Sequence, residues 1–185
     1  LFYEGQSGDP YSYVYSRGAG DSRNINNEDG STSRTRSLIW IPADASEINL
    51  TDDSQWDALN TFIEEDAYLS ANRGGYAKKN GARSPFSNQI DMRILQDFGA
   101  LLGGKFNKIQ VSFDIFNVGN LINSSWGVRY NNPFDYGLID FEGYAADGTT
   151  PTFSFDDERL GLERFNIADF SSRWRMRVGI RYIFN

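Results

Sequence analysis

The stretch from Ser171 to Phe184 constrains this chain more than any other. Alternate positions put Trp174, Met176, Val178, Ile180, Tyr182 and Phe184 on one side, and Arg173, Arg175, Arg177, Gly179 and Arg181 on the other. A period of two over that length is the pattern of a pleated strand with one apolar and one cationic face. Soluble antiparallel strands can carry the same pattern. The length, the aromatics bunched at the two ends and the terminal position instead point to a wall strand of a transmembrane barrel, which crosses a bilayer in about 9–11 tilted residues.

Composition permits this reading and excludes several others. The chain has 185 residues, a net charge of −7 and no cysteine or histidine, with 15% aromatics and 18 glycines. Without Cys or His there are no disulfides, thiol nucleophiles or histidine triads, and almost no zinc chemistry. The acidic balance argues against nucleic-acid binding by the chain as a whole. A mean hydropathy of −0.52 is compatible with a barrel, because lumen and loops are polar. No run of about 18 apolar residues is present to form a spanning helix. The chain opens on Leu1-Phe2-Tyr3 inside a strand-like pattern, with no signal peptide, and is expected to be part of something longer.

In order, residues 1–15 read as strand around a Gly5–Pro10 break, with Tyr11, Tyr13 and Tyr15 expected as a row at a membrane–water interface or on a soluble sheet's surface. Residues 16–85 form a long polar excursion with a short apolar run, Leu38–Ile41, and a helix expected over about 54–72. Asp53 or Ser54 can cap that helix, and Gly74 can end it. Strands follow at about 86–102 and 105–117, the latter continuing at 126–130, joined by Gly103-Gly104 as a two-residue hairpin turn. That turn predicts pairs whose numbers sum to 207: Phe98 with Ile109, Ile94 with Phe113, Met92 with Ile115, Asp97 with Gln110, and Arg93 with Asp114. Apolar meets apolar and charge meets countercharge, which a one-residue slip would destroy. Residues 131–170 form a second long loop. Its Asp156-Asp157-Glu158 run is read as a solvated face in preference to a calcium site.

The order is thus strand, long loop, strand, tight turn, strand, long loop, strand. Alternating short and long connections are typical of bacterial outer-membrane barrels, with the long loops extracellular. On this reading the chain is all-β and supplies about four antiparallel strands. Ile94, Phe113, Ile115, Trp174, Val178, Ile180, Tyr182 and Phe184 face lipid; Asp91, Arg93, Asp114, Arg173, Arg175, Arg177 and Arg181 face the lumen. Loop aromatics Trp40, Trp56, Tyr68, Tyr76 and Trp126 are candidate substrate-stacking surfaces, or else the loops' own small core. No catalytic residue, metal site or cofactor is expected: the adjacent acids (Glu64, Glu65, Asp66; Asp156, Asp157, Glu158) have no visible reason to hold separated pKa values.

The stretch Phe113-Asp114-Ile115-Phe116-Asn117-Val118-Gly119-Asn120-Leu121-Ile122-Asn123 resembles the penultimate-strand signature of TonB-dependent outer-membrane receptors. The stretch from Leu1 to Tyr13, Asn80-Gly81-Ala82-Arg83 and Gly179-Ile180-Arg181-Tyr182-Ile183-Phe184 look like the Oar-like branch, whose members carry a carboxypeptidase-regulatory-like domain. The resemblance implies the C-terminal end of a 22-stranded barrel with a plugged lumen, embedded in outer-membrane lipid. Its partners would be the rest of the barrel, the plug and, through an N-terminal part, TonB; the function would be import of a solute bound outside. Two other functions remain open: a structural or partner-binding barrel component of an envelope complex, docking a surface protein through its helix-bearing loop, and a soluble β-sandwich binding module.

Overall fold

The computed structural model describes residues 1–17, 37–102, 105–131, 135–161 and 165–184. In chain order the elements are β1 (Phe2–Gln6), β2 (Pro10–Arg17), β3 (Trp40–Ile41), α1 (Gln55–Glu65), α2 (Ala67–Ala71), β4 (Gly75–Tyr76), β5 (Ala82–Arg83), β6 (Ser87–Leu102) and β7 (Lys105–Phe116). After these come α3 (Val118–Ile122), β8 (Tyr130–Asn131), β9 (Asp135–Tyr144), β10 (Pro151–Ser154), β11 (Asn166–Ile167), α4 (Asp169–Ser172) and β12 (Arg175–Phe184). The chain is predominantly strand and all-β, and no described helix is long and apolar enough to cross a membrane. It divides into two compact units, residues 1–8, 85–131 and 167–185, and residues 9–84 and 132–166.

The first unit is built on one antiparallel sheet in the order β1-β6-β7-β12. The β6–β7 register runs from Met92↔Ile115 to Leu102↔Lys105, every pair summing to 207, as the sequence requires; the Gly103-Gly104 turn itself lies outside the described residues. β12 pairs along its whole length with β7, from Arg175↔Phe116 to Phe184↔Asn107.

Three boundaries in this unit differ from expectation. β7 ends at Phe116 because Asn117 turns left-handed (φ 54°) into α3, and residues 124–127 are turn, so the strand does not continue over 126–129 and resumes only in the short β8. The last strand starts at Arg175, not Ser171: Ser171 and Ser172 donate to the Ala168 carbonyl and wind α4. Residues 1–15 are two strands in different sheets, with only β1 belonging here.

The second unit gathers β2 and both expected long loops around a single core. Its sheet runs β10-β9-β2-β5, and β2 lies parallel to β9. Tyr11, Ser12, Tyr13, Val14 and Tyr15 are buried on both faces of β2, so the tyrosines are core and not an interface row. A strand covered on both sides is what parallel pairing demands. Leu59, Phe62 and Ile63 of α1 and Leu69 of α2 pack into the same cluster.

The expected single helix is two, broken at Asp66, whose backbone is extended (φ −96°, ψ 118°). One Asp66 oxygen accepts the Tyr68 and Leu69 amides at 3.0 and 2.8 Å and so restarts the helix as an N-cap. The other accepts the Tyr13 hydroxyl at 2.6 Å.

Candidate functional site: two faces of one sheet

Antiparallel register decides which side chains share a face. On one side of the first unit's sheet lie Met92, Ile115 and Met176; Ile94, Phe113 and Val178; Val111 and Ile180; then Phe98, Ile109 and Tyr182. Few are covered: Ile180 is 76% exposed, Phe184 75% and Phe98 58%. Tyr182 and Phe184 stack at 5.7 Å at the turn end, and Trp174 stands exposed just before the other end of β12.

The opposite face carries the charges. Asp114 sits between two guanidinium groups, accepting from Arg93 at 2.5 and 3.3 Å and from Arg177 at 3.2 and 2.9 Å. Two rows along, Lys108 reaches Asp97 at 2.5 Å and Gln110 donates to the same carboxylate at 2.9 Å. Arg175 lies over the Phe170 and Phe116 rings at 4.4 and 5.7 Å. Asp91 accepts the Asn117 amide at 2.8 Å. Arg173, expected in the same row, lies outside the strand and pairs with Asp169 at 3.4 Å, because α4 displaces it from the ladder.

The Phe113–Asn123 stretch has a clear structural task at the open end of β6, β7 and β12. The Asn117 amide group donates to the Gly127 and Ser172 carbonyls at 2.9 and 3.0 Å, and Asn120 donates to Ser124 and Trp126 at 2.8 and 3.0 Å. Gly127 is left-handed (φ +65°), and a Cβ there would run into the Asn117 side chain, so this staple needs glycine twice over. Gln89 reaches the same turn, donating to Gly127 and Ser171 at 3.2 and 2.7 Å.

The loop aromatics do not converge. In the second unit, Trp56 and Tyr68 pack against the core, Tyr68 stacking on Tyr13 at 6.2 Å. Trp40 and Tyr76 face each other across β3 and β4 at 5.0 Å, with the Trp40 indole donating to Glu47 at 3.0 Å. Trp126 belongs to the first unit and is exposed in the turn after α3. The sequence reading missed the buried chain Tyr11–Tyr13–Asp66, with hydroxyls 3.0 Å apart. Burial drives the Tyr13 hydroxyl well above its ordinary value, reinforced by Tyr11 and Asp66, and pushes Tyr15 up to about 12. The aspartate that interrupts the helical pattern at position 66 was the available signal.

At the exposed β9–β10 hairpin tip, Asp147 accepts the Thr149 and Thr150 amides, both at 2.9 Å, and the Thr150 hydroxyl; with the Thr150 hydroxyl contributing most, these bonds hold its carboxyl down at about 2. Asp156 caps the turn Asp157–Gly161 through the Glu158 amide at 3.1 Å. Among the described residues no group of three or more acidic side chains is placed to hold a metal ion.

No family model, curated protein or solved structure matches the chain.

Proposed function

We propose that this chain is wall and extracellular structure of a large outer-membrane β-barrel, the C-terminal part of a TonB-dependent receptor that imports a solute bound on its outer side. The observation that carries the reading is an inverted burial pattern. Among the described residues of the first unit, the buried side chains are polar: Asp114, Asn117 and Ser172. None of its large apolar side chains is buried among the described residues, and most are exposed. A water-soluble unit that spreads such an apolar face is rare, and a membrane or a partner is the usual cover.

Dimensions favour the bilayer. β6, β7 and β12 have 16, 12 and 10 residues, each enough for the tilted crossing of about 9–11 residues. Aromatics at both ends of the apolar band suit the two headgroup regions. A soluble sandwich would need a second sheet over that band, and the exposure of Ile180 and Phe184 argues against one. The second unit, residues 9–84 and 132–166, is on this reading extracellular. Its loop aromatics are mostly committed to its own packing, so it supports a role in presenting a surface more than in stacking a small solute.

The test is depth-dependent quenching in bilayers containing brominated phosphatidylcholine, using variants with one tryptophan each. Trp174 emission should be quenched, and that of Trp40 and Trp56 should not. Unquenched Trp174 in a folded, reconstituted protein rules the membrane reading out.

A further inference from the structure

A cleft of about 560 Å³ opens where Trp174 precedes β12, entirely within the first unit. Its walls come from the turn after α3, from β11 and from α4. That volume falls inside the range of about 300–1,000 Å³ typical of small-molecule sites. The walls are held before any ligand arrives. The Trp174 amide donates to the Asn120 side-chain oxygen at 3.3 Å, and the Asn120 amide group is engaged by the Ser124 and Trp126 carbonyls. Ser172 is tied twice: its hydroxyl accepts the Arg129 amide at 2.9 Å, and its carbonyl accepts the Asn117 amide group at 3.0 Å. Walls fixed in this way lower the ordering cost of binding.

Three polar side chains of the lining keep spare capacity. Among the described residues the Ser124 hydroxyl makes no hydrogen bond, and Asp169 and Arg173 meet through one oxygen and one nitrogen only, at 3.4 Å. A carboxylate oxygen is left to accept, a guanidinium edge to donate, and a hydroxyl to do either. The two charges offset each other, and no other charged side chain among the described residues lines the cleft, so its net charge favours neither an anion nor a cation. Beside these groups Trp174 is 43% exposed, with Val128 and Ile167 in the same lining. An uncharged ring with an apolar face and hydroxyls round its edge matches both sets of groups. Its face packs on the indole, and its hydroxyls reach the polar side chains.

We propose that this cleft binds a neutral sugar ring. The pyranose stacks on Trp174, and its hydroxyls donate to Asp169, accept from Arg173 and pair with Ser124. The same ring chemistry belongs to a soluble saccharide and to the headgroup of a glycolipid. On the membrane reading the cleft lies at headgroup level, but the sugar site does not depend on that reading. Its test needs no bilayer, so either can fail alone.

The experiment uses the full chain with Trp174 as its single tryptophan, folded in polyoxyethylene micelles, which contain no sugar. The probes are maltotriose, the disaccharide of N-acetylglucosamine and octyl glucoside, with inorganic phosphate and acetyl-triglycine amide as controls. A sugar probe should change Trp174 emission saturably and shield it from acrylamide. Asp169→Ala and Arg173→Ala, both at exposed positions, should each weaken that binding roughly tenfold, and Ser124→Ala should weaken it less. Trp174→Leu should abolish it, followed by saturation-transfer NMR on the sugar. Far-UV circular dichroism identifies any variant that fails to fold. A response to octyl glucoside alone assigns the cleft to a glycolipid headgroup, and a response to the soluble sugars assigns it to a saccharide in solution. No saturable response to any of the three overturns the proposal, as does equal binding by every folded variant. A saturable response to phosphate or to the peptide in place of the sugars also overturns it, in favour of an anion or peptide cleft.

Discussion

Among the described residues, 9–84 and 132–166 gather nineteen buried apolar side chains, among them Phe62, Leu138 and Tyr13, and the β1-β6-β7-β12 unit contributes none of these. Charge divides the same way. The first set of segments holds 20 acidic and 10 basic residues, a balance of −10, whereas the second holds 5 and 8, a balance of +3. The overall −7 thus averages a mildly basic set of segments with a strongly acidic one. One unit folds by covering its apolar side chains with protein. The other holds its strands by backbone ladders and polar staples, with its apolar face exposed. Whole-chain averages describe neither part.

The comparison breaks first if the two parts do not unfold separately. Phe62 is fully buried against Phe155 (5.9 Å) and Tyr136 (6.2 Å). Phe62→Ala should cost about 3–5 kcal/mol in the second unit through lost transfer energy and the cavity left behind. Hydrogen exchange should show amides of α1, β2 and β9 losing protection while β6, β7 and β12 keep theirs. Equal loss throughout would mean that one cooperative core supports both.

The reverse experiment addresses the sheet. Ile180 lies near the middle of the apolar band, opposite Val111. With lipid against that face, Ile180→Arg should destabilise the reconstituted protein by about 2–4 kcal/mol in urea unfolding from vesicles. At an ordinary wet surface the same change should stay within about 0.5 kcal/mol. A small effect would remove the physical basis of the membrane reading.

The sequence shows the sheet more clearly than the body, for a physical reason. In β6 and β7 the pairing partner is adjacent in the chain, and a two-residue turn leaves one register that matches Arg93 with Asp114 and Ile94 with Phe113. The alternation at Tyr11, Tyr13 and Tyr15 correctly identifies a strand. Its partner β9 is more than a hundred residues away and parallel, and local periodicity carries no information about that. The arginine face was legible apart from Arg173, since alternation does not report that Ala168 would collect the Ser171 and Ser172 amides into a helical turn. The break at Asp66 was hidden similarly: helical spacing does not report that one oxygen of this aspartate takes the Tyr68 and Leu69 amides while the other takes the distant Tyr13 hydroxyl.

Alkali should separate the two parts without mutation. Tyr13 and Tyr15 stay neutral in the fold to higher pH than in the unfolded chain, where they ionise near the ordinary value of 10. Their contribution is therefore complete below pH 10 and is lost as pH rises through about 12, the folded value of Tyr15. Tyrosinate absorbance should rise together with loss of protection in β2 and β9, and Tyr15→Phe should move that transition upward. Protection in β6 and β7 falling at the same pH would contradict the separation.

The smallest effect sits at the β9–β10 tip, and it tests the acidic body from the other end of the pH scale. Asp147 donates nothing and accepts three hydrogen bonds from Thr149 and Thr150, so its anionic form is favoured in the fold. With the folded value at about 2, below the ordinary 3.8, the stabilisation is complete above about pH 4 and disappears as pH falls through 2. The Thr149 and Thr150 amide resonances should titrate near pH 2, with the tip intact at pH 3. Asp147→Asn should abolish that titration while leaving β9 and β10 paired, because Ala145 and Thr150 close the hairpin through their own backbone bond at 2.8 Å. A titration near pH 4 would mean that the threonine bonds do not hold in solution, and that the body's acidic surface is looser than its core.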